Sequence, residues 1–316
     1  MFIMRRFAGR AILRAFLVAS ALALAVGGVV LIAGRAEAQA VDDAEAEAVF
    51  RDGRISVEIV GQGPDVILIP GYGSSREVWR PLAERLSATH RVHLVQYAGF
   101  AGEPWTHGDG PLLAPAVAAV AGYIEAQGLE RPAVIGHSMG GLSALLLAQA
   151  RPDLVGRIMS VDSLPFFSAL FGPTATVESA RPFAAQAAAR MLSGDEATLR
   201  AGQTAGAPGL SKDAATQTAM IDWVMASDRQ ALATGIAEVM TTDARPGLSA
   251  MTVPVWAIYA ADADGGAPAA MADAMWSSQW ADVPDLTLER VDGSRHFIMA
   301  DQPEAFYAIV DRFLAE

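Results

Sequence analysis

The stretch AVIGHSMGGLSALLLAQA, residues 133–150, sets one serine between glycines where a strand-like run turns into a helix-like run. PAVI leads in with buried-strand character, and LSALLLAQA follows with strong helix formers. G-x-S-x-G alone arises by chance. On a sharp strand-to-helix turn it acquires a physical reason. Ser138 then stands at the end of a strand, Gly136 and Gly140 keep the turn free of side-chain clashes, and Gly141 lets the helix pack closely. The unpaired N–H groups of the helix start face a developing negative charge at the serine. The alternative is a small residue in a tight turn, and the neighbouring sequence decides between them.

Outward from this turn, strands and helices alternate. ISVEIV (55–60), DVILIP (65–70), HRVHLVQ (90–96), RPAVIG (131–136) and GRIMSVD (156–162) read as strands. REVWRPLAERLS, PLLAPAVAAVAGYIEAQG and LSALLLAQARPD read as helices between them. This alternation predicts an α/β fold with a mostly parallel sheet flanked by helices. From Pro165 to about Ser249 the chain is alanine-rich and helical without a convincing strand, divided by GAPG and RPG. VPVWAIYA and LTLERVD resume the sheet, and PEAFYAIVDRFLA closes it. The expected organisation is a core in two parts, 41–164 and 250–316, around a helical lid insertion at 165–249. Residues 41–49 read as an exposed leader.

The N-terminus reads differently. Arg5, Arg6, Arg10 and Arg14 precede an apolar run from Ala15 to Ala33, and AEAQA ends in an A-x-A pattern at Ala38 and Ala40. Basic region, apolar segment and small-residue site describe a signal peptide over 1–40, and an exported, periplasmic or extracellular enzyme. The alternative is an uncleaved membrane anchor; after cleavage no stable membrane association is expected. Without residues 1–40 the chain has 18 basic and 34 acidic residues, a formal net charge of −16, which opposes binding to nucleic acid. There is no cysteine, so disulfides, cysteine-linked lipid and thiolate metal sites are excluded. No H-E-x-x-H is present, the five histidines form no ligand pattern, and the only lysine, Lys212, lies in no phosphate-binding loop. No metal or cofactor is expected.

VILIPGYGSS, AVIGHSMGGLSALLLA, VPVWAIYA and GSRHFIMADQPEAF together resemble the α/β-hydrolase superfamily, in its lid-bearing esterase, lipase and haloperoxidase-like group. The resemblance implies a serine nucleophile, an acid and a histidine in chain order, with an oxyanion hole of two backbone N–H groups. It carries Ser138 as nucleophile and His296 as base, since a serine hydroxyl needs a base within hydrogen-bond reach. His90, His93, His107 and His137 read as structural. For the acid, Asp262 stands first, after the strand at 253–260, where the family usually holds it; Asp162 and Asp264 are the rivals. Ala260 replaces the family's usual glycine there. Tyr72 and Met139 are the expected oxyanion donors. The function implied is cleavage of carboxylic esters through an acyl-enzyme, on a small-molecule ester or lactone. Lactonase, acyltransferase or amidase action by the same residues is the alternative, and a non-catalytic binding module the remote one. Trp105, Phe166, Phe167, Phe171 and Trp223 are candidate pocket aromatics.

Overall fold

The computed structural model describes residues 47–172 and 174–315. The signal-peptide reading of 1–40 lies outside the described residues. Among them, eight strands form one sheet in the order β1-β2-β4-β3-β5-β6-β7-β8. These are β1 (Glu47–Arg51), β2 (Ile55–Val60), β3 (Asp65–Ile69), β4 (Arg91–Tyr97), β5 (Ala133–His137), β6 (Arg157–Val161), β7 (Val255–Ala261) and β8 (Leu286–Asp292). β1 and β2 run antiparallel, and β3 to β8 pair in parallel. β1 departs from the sequence reading: Glu47–Arg51 is an edge strand rather than leader, with Phe50 opposite Val57. Its five residues carry too little alternation to announce a strand alone.

The central strands are buried on both faces, as parallel strands between helix layers must be. Their period of two sorts the core. Ile67 and Ile69 join Val134, Ile158, Leu142 and Trp276 on one face, with α2 (Leu113–Ala126), α3 (Met139–Ala150) and α8 (Ala269–Gln279). Val66 and Leu68 join Ile135, Met159, Trp79 and Phe306 on the other, with α1 (Arg80–Leu86) and α10 (Pro303–Ala315). Each such aliphatic side chain, fully buried, contributes about 1.5–3 kcal/mol.

Between β6 and β7 the described chain forms α4 (Val177–Ser193), α5 (Glu196–Leu210), α6 (Ala214–Ala226) and α7 (Arg229–Thr241), without a strand. Thr176, Asp195, Asp213 and Asp228 start these four helices by accepting first-turn N–H bonds. GAPG does not divide the insertion as expected. It forms the last turns of α5, and the breaks fall after Leu210 and at Ser227, before the Asp228 cap. RPG lies in a short 3-10 helix, Arg245–Ala250, that returns the chain to the sheet.

Candidate active site

The serine turn is strained. Ser138 sits at φ 53°, ψ −120° between β5 and α3, a conformation that costs a non-glycine residue about 1–3 kcal/mol. Its surroundings hold it there. The Ser138 N–H donates to the Val161 carbonyl of β6 at 3.0 Å, and the Leu142 N–H closes on the Ser138 carbonyl at 3.1 Å. A Cβ on Gly136 would stand 2.1 Å from the Gly140 carbonyl oxygen, and one on Gly140 would stand 2.2 Å from that of Ile69. Both distances are far inside van der Waals contact, so the turn closes only with hydrogens there.

His296 follows β8 and precedes α9 (Ile298–Asp301). Its Nδ1 lies 2.7 Å from Asp162 Oδ2. A carboxylate only accepts, so Nδ1 carries the proton and Nε2 is left as a base. Asp162 ends β6 at φ 45°, a left-handed geometry that aspartate tolerates better than most residues. Its N–H donates to the Ile258 carbonyl at 2.8 Å, and its Oδ1 accepts from the Ala260 N–H at 3.0 Å. Both bonds run to β7, so the carboxylate is aimed from two sides.

Asp262, first among the candidate acids, does not pair with His296. Its carboxylate, 5% exposed, accepts from Arg295 Nε at 3.0 Å and from Lys212 Nζ at 3.4 Å. Burial opposes its ionisation, yet the Arg295 and Lys212 cations and the Asp264 N–H hold its carboxyl below the usual range. Asp264 is exposed and only its N–H reaches the cluster, at 3.3 Å from Asp262 Oδ1. Only Asp162 therefore combines with His296.

Of the two expected oxyanion donors, Tyr72 lies on the loop after β3 and Met139 at the first position of α3. Among the described residues neither N–H donates to a protein acceptor. The Tyr72 phenol points elsewhere: it donates to the Leu232 carbonyl at 2.8 Å, and burial pushes its pKa up. His137 is fully buried behind the serine, and its Nε2–H donates to the His296 carbonyl at 2.9 Å. Burial, with His296 beside it, holds its pKa well below 6.5, so it stays neutral.

Ser138, Met139, Asp162 and His296 line one cavity of about 330 Å³, walled by Leu142, Leu164, Phe167, Leu170, Leu210, Val239 and Trp276. Of the five candidate aromatics only Phe167 lines it. Phe171 packs edge-on against Phe167 with ring centres 5.9 Å apart. Phe166 is fully buried under the Arg245 guanidinium, Trp105 donates to the Gly108 carbonyl, and Trp223 packs into the core layer on the α1 side. Leu210 and Val239 come from α5 and α7, and Trp276 from α8. A larger cavity, about 510 Å³, is lined by Asp65, Arg91, Arg131 and Arg157 at the starts of β3 to β6. Ligands of such sheets bind at the carboxyl ends of strands, where Ser138 stands. Among the described residues no group of three or more His, Asp or Glu is placed to hold a metal ion, and no helix is long and apolar enough to cross a membrane.

The chain matches the alpha/beta hydrolase family over residues 66–309 and belongs to it. It is similar to the pimeloyl-[acyl-carrier protein] methyl ester esterase of Aliivibrio salmonicida, 29% identical over 80% of this chain and 93% of that protein. The enzyme of the same name from Aeromonas salmonicida is 36% identical over 36% of this chain, a match that spans 44% of that protein. The fold is shared with an enol-lactonase from Burkholderia xenovorans, at TM-score 0.68 and 19% identity over 83% of this chain and 96% of that one. Family and site together make the protein a hydrolase of the esterase type.

Proposed function

We propose that the protein cleaves small carboxylic esters with Ser138 as nucleophile, His296 as base, Asp162 as the acid behind it, and the Met139 and Tyr72 N–H groups as oxyanion donors. The observation that carries this reading is the 2.7 Å bond from His296 Nδ1 to Asp162, made at the cavity that Ser138 lines. His296 Nε2 takes the hydroxyl proton as Ser138 Oγ attacks the ester carbonyl; Asp162 stabilises the imidazolium. Collapse of the tetrahedral oxyanion returns that proton to the leaving alkoxide and leaves an acyl-serine. Water, deprotonated by His296, then releases the carboxylic acid.

The apolar wall of Leu142, Phe167, Val239 and Trp276 suits an apolar acyl or alcohol group. At about 30 Å³ per water-sized group the cavity holds roughly ten heavy atoms, in keeping with relatives named as methyl ester esterases. Phe167, at the cavity, is the pocket aromatic of this reading. The core in two parts around a lid at 165–249 is part of the same proposal, supported by the place of the insertion beside the cavity. Export is proposed on the basic and apolar pattern of residues 1–40, and fractionation of the native host tests it: activity confined to the cytoplasm overturns it. For the chemistry, a fluorophosphonate probe labels the wild type and not Ser138→Ala, and p-nitrophenyl acetate is turned over only by the former. Labelling of both, or turnover by neither, overturns the assignment. Turnover of lactones with no turnover of open-chain esters redirects it to cyclic substrates.

A further inference from the structure

Asp262, freed from His296, has a different set of partners. Arg295, the residue before His296, reaches past it to the insertion: its Nη1 donates to the Pro208 carbonyl near the end of α5. The guanidinium lies directly over Gly265, where a Cβ would stand 2.4 Å from Nη2. On the other side of His296, the Phe297 N–H donates to the Leu210 carbonyl at 3.1 Å. Asp301 completes the set. Its Oδ1 accepts from Ser211 Oγ at 2.7 Å and from the Lys212 N–H at 2.8 Å, while its Oδ2 accepts from the Arg295 N–H at 2.8 Å. The bend between α5 and α6 is thus fastened to both neighbours of the histidine. Leu210, the last residue of α5 before that bend, is a wall of the cavity.

We infer that Asp262 and Arg295 are specificity-determining residues of this site: they fix Leu210 as the outer wall of the ester pocket and take no part in proton transfer. The inference rests on the ester-hydrolase reading and names where its selectivity is set. Arg295 has a carboxylate on one side and a main-chain carbonyl on the other, so its fork spans core and insertion at once. Lys212 supports Asp262 from the insertion side. With the fastening in place Leu210 meets the distal carbons of a longer ester. With it removed the wall retreats, short esters react as before, and longer ones lose their seat.

The test uses Asp262→Asn and Arg295→Gln in the full chain, with p-nitrophenyl acetate and p-nitrophenyl octanoate. For the acetate, kcat stays within about threefold of wild type in both variants. For the octanoate, KM rises about tenfold while kcat changes little, the split expected when ground-state and transition-state binding are lost together. Arg295→Lys, which keeps the charge beside Asp262, recovers part of the octanoate KM. Amide exchange supplies a readout independent of turnover: protection of the Phe297 and Lys212 N–H groups falls in Asp262→Asn and Arg295→Gln. A kcat loss of a thousandfold on the acetate in Asp262→Asn overturns the inference, and so do an unchanged octanoate KM or unchanged protection. If the wild type turns over no ester, the ester reading fails, while the exchange measurement still decides whether the fastening exists.

Discussion

Asp162→Asn changes one atom of the group that orients the proposed base. Asparagine tolerates the left-handed backbone at this position nearly as well as aspartate, so the main chain stays in place. The bond from the Ala260 N–H to Oδ1 fixes the orientation of the amide that replaces the carboxylate. That N–H needs an acceptor, so the amide oxygen takes the Oδ1 site and the NH₂ group faces His296. A donor 2.7 Å from Nδ1 forces Nδ1 to be the acceptor and moves the imidazole proton to Nε2. Nε2 then points a hydrogen at Ser138 and has no lone pair to receive one. A wrong tautomer of this kind costs about 10³–10⁴ in kcat, or about 4–5.5 kcal/mol of transition-state stabilisation. KM moves little, because the imidazolium exists only after attack begins. Initial rates on p-nitrophenyl acetate, with unfolding midpoints to establish matched folding, measure it. Asp162→Asn retaining more than a tenth of wild-type kcat refutes the reasoning, and refutes it decisively if Asp262→Asn is the inactive one.

Other outcomes follow from the same geometry. Ser138→Gly abolishes turnover but releases the strained φ, and after the greater chain entropy of glycine it gains about 1 kcal/mol; differential scanning calorimetry should show a rise of about 2–4 °C, and a fall shows that the turn is not strained. Gly140→Ala drives a methyl into the Ile69 and Pro70 carbonyls, where no flexible side chain can give way. Overpacking against fixed backbone costs about 3 kcal/mol or more, and wild-type stability in urea melts would contradict the close approach. His137 has a folded pKa depressed by burial and by His296, so the unfolded chain binds its proton first. Stability is then complete above about pH 6.5 and falls by up to about 1.4 kcal/mol per pH unit below it. His137→Gln loses that part of the acid slope, and urea melts at pH 7, 6 and 5 read it; parallel slopes count against a neutral buried His137. Val239→Trp fills part of the cavity that Val239 lines with Phe167 and Trp276 and shifts preference toward acetyl esters by about tenfold in kcat/KM, whereas an unaltered chain-length profile removes Val239 from the pocket.

The sheet was legible because period and burial coincide. Strands such as DVILI and AVIGH carry unbroken apolar runs, VILI and AVI, as burial on both faces requires. β1 escaped because an edge strand needs a partner more than a pattern, and Glu47–Arg51 has its partner in β2. The serine turn could be read because a strand, two obligatory glycines and a helix lie within one short segment. Spacing could place Asp162 and Asp262 each at the end of a strand; it could not choose between them. The choice depends on Arg295 and Lys212, which are 33 and 50 residues from Asp262 along the chain and claim its carboxylate in space. The pocket wall was hidden for a related reason. Phe166 is a large aromatic, yet it packs in a small cluster with Ala169 and Ala180, whereas Leu210 and Val239 reach the cavity from the last turns of α5 and α7.

The place of Asp162 on the sheet has a consequence for how this enzyme can change. It stands where the chain leaves β6, and both its N–H and its carboxylate bind the carboxyl half of β7, at Ile258 and Ala260. The insertion leaves the sheet beside Val161, which pairs with Ile258, and returns at Val255, which pairs with Ile158, so its two roots lie at opposite ends of one parallel strand pair. That pairing fixes the span the insertion must cross, and doubling the length of such a loop adds only about 0.6 kcal/mol. A graft cut after Leu164 and before Met251 would carry a new substrate envelope onto unaltered chemistry, provided that the replacement offers Arg295 a carbonyl to hold.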